Sequence, residues 1–263
     1  MTEPTPEDKA ALDATRAPLM EHLVELRKRL VWAMISFVIC FVICFYFSKA
    51  IFAFLIQPLH MATNHLIYTA LTEVFFTQVR IAMFGGACLA FPIIAWQLWI
   101  FIAPGLYRHE RRAFLPFLAF TPLMFILGAG FVYYVMLPFA IRFFGSYQVP
   151  AINGAMGIEL QAKVGDYLDL VMTLMFAFGL TFQLPVLLSL LGKVGIVTVK
   201  GLKEMRRYAY VGLFAVAGAI TPPDWFSMLS LAFPLLSLYE VSVFSVMVIE
   251  GNARKTRRDA SAK

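Results

Sequence analysis

Charge is scarce in this 263-residue sequence. Asp, Glu, Lys and Arg make up 14% of it, whereas soluble domains carry roughly 25%. That shortage argues against a surface facing water on all sides. Cysteine is scarce too: Cys40, Cys44 and Cys88 all sit inside apolar runs, with no CxxC pair and no Cys/His metal spacing. They read as packing residues. The four histidines are scattered and none forms HExxH, and no GxxxxGK[ST] loop is present, which removes ATP hydrolysis by that route. His, Asp, Ser and Cys form no recognisable nucleophile–base arrangement, and nothing calls for a cofactor. The expectation is a protein without a chemical step of its own. The first twenty residues contain Glu3, Glu7, Asp8 and Asp13 and no apolar core, which argues against a cleaved signal peptide or a transit peptide. Strong internal repeats and a separate soluble domain are also lacking.

Apolar residues are abundant, at 60%. Long runs separated by charged or Gly/Pro-rich breaks predict six membrane helices at about 31–48, 81–103, 113–136, 166–191, 208–221 and 225–245. The fold class is therefore all-α, a polytopic membrane protein forming one membrane domain over 1–250. The basic stretch 251–263 reads as a disordered tail. An even span number puts both termini on one side. Eighteen of the 22 Lys and Arg residues fall on the side of the termini; only Lys49, Arg80, Arg142 and Lys163 fall on the other. The positive-inside rule makes the terminal side cytoplasmic. The net charge of +6 reflects this bias and contact with anionic lipid, so nucleic acid is not an expected partner.

The outer connections are more than linkers. IFAFLIQPLH, within 49–80, is too short to span and too apolar for water, and predicts an interfacial helix ending near Pro58. Spans three to six are rich in Pro and Gly, which bend spanning helices. Span five, Tyr208 to Ile220, covers only roughly 20 Å of a core about 30 Å thick. Bent and short helices suggest a concave body that thins the bilayer locally.

The stretch PLMEHLVELRKRL, residues 18–30, precedes span one. Leu19, Leu23, Leu26 and Leu30 share one stripe, opposite Glu21, Glu25, Lys28 and Arg29, which predicts an amphipathic cytoplasmic helix. The basic residues anchor the terminus inside, but topology does not require the glutamates. Glu25 and Arg29 are spaced for an i, i+4 pair. The loop FIAPGLYRHERR, residues 101–112, repeats the puzzle: Glu110 stands among Arg108, His109, Arg111 and Arg112. Each acid has a modest local explanation, in helix support or charge neutralisation. Together they place two carboxylates on a positive rim, where they could receive a pair of guanidinium groups with bidentate geometry that lysine fits less well.

HLVELRKRL, WQLWIFIAPGLYRHERR, TFQLP in span four and TPPD before span six resemble the TatC family, the polytopic subunit of the twin-arginine translocase. The resemblance runs from about His22 to Glu240. It implies a receptor for twin-arginine signal peptides that works with single-span TatA-like and TatB-like partners, and self-associates, to export folded cargo across the bacterial inner membrane on the proton-motive force. It implies signal-peptide contacts at Glu25 and Glu110, with Arg27, Phe101, Pro104, Leu106 and Tyr107 shaping the site, and assembly roles for Pro58 and Asp224. This chain departs from many members at Gln183, where they carry Glu. The residues leave Gln183 bonding within its own helix, to span five, or to a partner's transmembrane helix. The competing class is an ion-coupled small-molecule transporter, for which Glu240 is a candidate intramembrane acid.

The distribution of Lys and Arg predicts a labelling pattern. Cysteines introduced near Asn153 should react with an impermeant thiol reagent from outside intact cells. Cysteines at Arg111 or Lys203 should react only after the membrane is opened.

Overall fold

The computed structural model describes residues 6–61, 66–102, 111–148, 161–220 and 225–261. Their helices are α1 (Pro6–Tyr46), α2 (Ser48–Ile56), α3 (Glu73–Ile102), α4 (Arg111–Phe131), α5 (Leu137–Gly145), α6 (Val164–Thr181), α7 (Leu184–Val194), α8 (Val199–Ile220) and α9 (Trp225–Ser261). Two two-residue strands, β1 (Leu66–Ile67) and β2 (Ala162–Lys163), pair in parallel.

Five segments are long and apolar enough to cross a membrane: Leu23–Tyr46, Glu73–Phe101, Phe120–Gly145, Val164–Val194 and Met228–Gly251. The remaining expected span lies in α8. Its 22 residues are about 33 Å long, so the helix is longer than the thirteen-residue apolar run that the sequence marks out. Its first turns carry Lys200, Lys203, Glu204, Arg206 and Arg207, and only the remainder is uniformly apolar. The amphipathic stretch before span one and the span itself form one continuous helix, α1. At the other end, α9 stays helical as far as Ser261, where the sequence predicts disorder.

Proline sets most of the irregularities. Span three is α4 and α5 joined by a π-helical turn, Val132–Met136, immediately before Pro138. Widening the turn accommodates a ring that clashes with a regular α-helical carbonyl. Span four breaks at Phe182–Gln183, and α7 restarts with Pro185 in its first turn. The helix interior tolerates Pro92 and Pro234 without a break.

Helix α1 packs along α3, α4 crosses α6, and α9 packs against both α7 and α8. Two crossings depend on missing side chains. A Cβ on Gly128 would lie 2.6 Å from the Phe178 carbonyl oxygen, and one on Gly86 would lie 2.8 Å from the Phe41 Cα. Small residues at these points let helix backbones meet, the usual route to association without a hydrophobic drive. The largest buried cluster gathers Leu55, Ile81, Val132, Leu137, Leu168 and Phe178 under α2.

The interfacial helix appears where the sequence places it. α2 runs to Ile56, followed by a 3-10 turn, Gln57–Met61. Pro58 is buried in that turn and has no N–H, so the Phe54 carbonyl loses its i+4 donor and accepts instead from the Gln57 amide. The Tyr133 hydroxyl donates to this carbonyl at 2.8 Å, and the Phe54 and Tyr133 rings stack at 4.3 Å. Beside it, the Tyr167 hydroxyl donates to the Leu55 carbonyl at 3.0 Å. Spans three and four thus cap the end of α2. Glu73 closes the same rim. Its Oε2 accepts from the Thr69 amide at 2.9 Å, and its Oε1 accepts from the Gly165 amide at 3.2 Å. Arg80 pairs with Asp169 across α3 and α6.

Tyr133→Phe keeps the ring stack but removes the donor, so thermal unfolding in detergent should show a loss of about 0.5–1.5 kcal/mol. Tyr167→Phe should cost a similar amount. In a Pro58→Ala background, which restores an amide donor near Phe54, the Tyr133→Phe loss should shrink while that of Tyr167→Phe persists.

Candidate functional site

The opposite rim carries the ends of the chain and the α7–α8 connection. Here α1 brings Glu25 beside the end of α3. Arg29, one turn further along α1, donates from Nη2 to Glu25 Oε1 at 3.3 Å and from Nη1 to Gln97 Oε1 of α3 at 3.3 Å. The two paired side chains are about one-third exposed. The i, i+4 pair expected from the sequence forms, and it also ties α1 to α3. Arg27 and Lys28 are exposed, and neither forms an ion pair among the described residues. Leu23, Leu26 and Leu30 are also exposed on α1, an apolar stripe available to lipid.

Phe101 lies half-buried at the end of α3. Pro104, Leu106, Tyr107 and Glu110 lie outside the described residues, as does Asp224. In sequence, Glu110 immediately precedes α4. The geometry therefore gathers Glu25, Arg29, Gln97 and Phe101 at one helix-end junction. The sequence reading missed Gln97, a lone polar residue among tryptophans in WQLW, because nothing in the sequence indicates that it meets Arg29.

A second polar cluster joins α8 to α9. Arg206 Nη2 donates to Glu240 Oε2 at 2.7 Å, and the Tyr210 hydroxyl donates to Glu240 Oε1 at 2.5 Å. Arg206 and Tyr210 are spaced i, i+4, so one helix face presents both donors to the acid. Tyr239, next to Glu240, donates to the Leu202 carbonyl at 2.8 Å. Glu240, the candidate intramembrane acid, is thus matched by a cation and a hydroxyl. Pairing is the condition under which a lipid-embedded helix carries charge. It allows the charged turns of α8 to lie against α9.

Gln183 occupies the N-cap of α7 at the span-four break. Its Nε2 donates to the Thr121 carbonyl of α4 at 2.9 Å, with a marginal 3.5 Å contact to Gly179 in its own span. The cross-helix neighbour is therefore span three and not span five, one of the alternatives that the sequence left open. The reason is the close Gly128–Phe178 crossing, which draws α4 against this break. Thr181, whose carbonyl loses the Pro185 donor, turns its own hydroxyl to the Ala177 carbonyl at 2.8 Å. Gln183→Leu should lower the melting temperature slightly, by the ~0.6 kcal/mol typical of a bond between membrane helices. Gln183→Glu should match wild type only while the acid is protonated and can donate to Thr121. An ionised carboxylate has no proton to donate to the Thr121 carbonyl, so stability of this variant should fall as pH rises in a melting series.

Comparisons with known proteins agree with this arrangement. The family model described as Sec-independent protein translocase protein (TatC) matches residues 21–234. A Magnetococcus marinus relative of that name is 45% identical, over 87% of this chain and 83% of its own. An Escherichia coli K12 relative is 36% identical, over 90% and 91%. A crystal structure described as the twin arginine translocase receptor TatC superposes with a TM-score of 0.76 at 37% identity, covering 87% of this chain and 99% of that one. The six-span, all-α reading holds, and the small-molecule transporter reading finds no support. With a family match over residues 21–234 and relatives up to 45% identical over most of its length, the chain belongs to the TatC family of Sec-independent protein translocase components.

Proposed function

We propose that this chain is the signal-peptide receptor of its translocase. Glu25 and Glu110 receive the two guanidinium groups of a twin-arginine signal. The observation that carries the reading is the position of Glu25. It stands on the basic rim at the end of α3, within reach of solvent and tied through Arg29 to the helix whose sequence continues toward Glu110. A cationic peptide approaching such a rim meets repulsion everywhere except at local carboxylates. Arg27, Phe101, Pro104, Leu106 and Tyr107 shape the surroundings of that pair.

The rest of the reading follows from this role. The protein sits in the bacterial inner membrane with both termini cytoplasmic, so the receptor site faces newly made cargo. It forms one membrane domain followed by the 251–263 basic tail. It performs no chemical step. It nucleates an assembly with TatA-like and TatB-like single-span proteins and with further copies of itself, driven by the proton-motive force. Gln183 is half-buried, and among the described residues only its amide nitrogen is engaged, which leaves its oxygen for a donor on a partner helix. Pro58 acts through the shape of the turn in which it is buried, and Asp224 acts from the connection before α9.

Glu110→Gln should leave membrane insertion unchanged and weaken binding of a twin-arginine signal peptide. Loss of one charge-assisted pair costs about 1.5–3 kcal/mol, roughly ten- to a hundredfold in affinity. Glu25→Gln should weaken binding more mildly, because Glu25 already has an internal partner. Affinities at wild-type level in both variants, measured by titrating a labelled signal peptide, would reduce the acids to helix and loop neutralisers.

A further inference from the structure

We infer that Arg29 is a resident guanidinium in the Glu25 site, so that an incoming signal arginine binds by displacing it. This rests on the receptor reading above and adds a threshold-setting residue to it. Arg29 already makes the contact that a guest would make: its Nη2 meets one carboxylate oxygen of Glu25. The contact is poor for its type. At 3.3 Å it is longer than the 2.7–2.9 Å typical of charge-assisted bonds, and it uses one donor arm where the guanidinium fork offers two parallel ones. The cause is the second tether. Nη1 is held by Gln97 Oε1 on α3, so the fork bridges two helices and cannot close squarely on Glu25. The third nitrogen, Nε, is enclosed with no partner among the described residues, a further cost of this pose.

The internal pair is therefore strong enough to hold the carboxylate in place and weak enough to lose to a guest. An external guanidinium free of any tether to Gln97 can take Glu25 bidentately. Arg29 keeps its bond to Gln97 and so stays at the α1–α3 junction when displaced. Only a guest whose contact with Glu25 exceeds the internal one gains from the exchange. An ammonium group, lacking the fork, gains less than an arginine. Arg27 and Lys28, exposed neighbours on the same helix, do not share this role: no pair joins either of them to Glu25.

The test is a double-mutant cycle on the full-length protein in detergent, titrated with a labelled synthetic signal peptide carrying an Arg-Arg pair. Arg29→Gln should tighten binding about two- to fivefold, the range set by the modest strength of a part-exposed pair. Lys28→Gln removes the same charge from the same rim without touching Glu25, and should tighten binding by less. In a Glu25→Gln background, the advantage of Arg29→Gln over Lys28→Gln should vanish. Arg29→Lys, with charge unchanged, should show a smaller gain of the same sign, and it carries the test if Arg29→Gln does not fold. The inference is overturned if Arg29→Gln equals Lys28→Gln, if its extra gain survives without Glu25, or if it weakens binding. Wild-type affinity in Glu25→Gln alone would instead remove the underlying receptor role of Glu25, so the two failures are distinguishable.

Discussion

Lipid offers a backbone no hydrogen-bond donors, and every proline in a spanning helix removes one more. A chain that bends its spans must return those donors from elsewhere. At the end of α2, one such donor comes from a side chain on another helix. Where Pro58 denies the Phe54 carbonyl its i+4 amide, the Gln57 amide and the Tyr133 hydroxyl of span three both donate to it. Where Pro185 strips the Thr181 carbonyl, span four breaks, and Gln183 uses the gap to reach the Thr121 carbonyl of span three. Where Pro138 interrupts span three, a π turn absorbs the misfit. The first two tie one segment to another. The same prolines that weaken individual helices therefore specify which helices touch.

Close packing makes those repairs geometrically possible. Gly128 against the Phe178 carbonyl and Gly86 against Phe41 bring backbones nearer than any side chain would permit. At such distances a tyrosine or glutamine can span the gap. On the α2 rim this produces a stitched cap in which β1, β2, Glu73 and the two tyrosines join connections far apart in sequence.

The other rim works by charge. It holds the excess of Lys and Arg, yet the acids among them are handled individually. Glu240 is matched by Arg206 and Tyr210, which allows the charged first turns of α8 to lie on α9. Among the described residues Glu25 is matched by Arg29, at longer range and with one oxygen. A doubly bonded acid at 2.7 and 2.5 Å suits structure. A loosely held acid within reach of solvent suits exchange of partners.

Much of this was legible in the sequence because it depends on composition and local order. Apolar runs exclude water whatever they pack against, so span number and the interfacial helix before Pro58 could be read directly. The i, i+4 spacing of Glu25 and Arg29 fixed their pairing within one helix, and the specific motif FIAPGLYRHERR identified the family. The tertiary structure alone decided what crosses between helices. Gln183 could have faced its own helix, span five or a partner, and only the α4–α6 crossing selected Thr121. Gln97 gave no sign of its bond to Arg29, nor Tyr133 and Tyr167 of the carbonyls they cap. Helical periodicity reports which face a residue occupies, whereas the identity of its neighbour depends on crossing angle and depth, which are set by residues elsewhere in the chain.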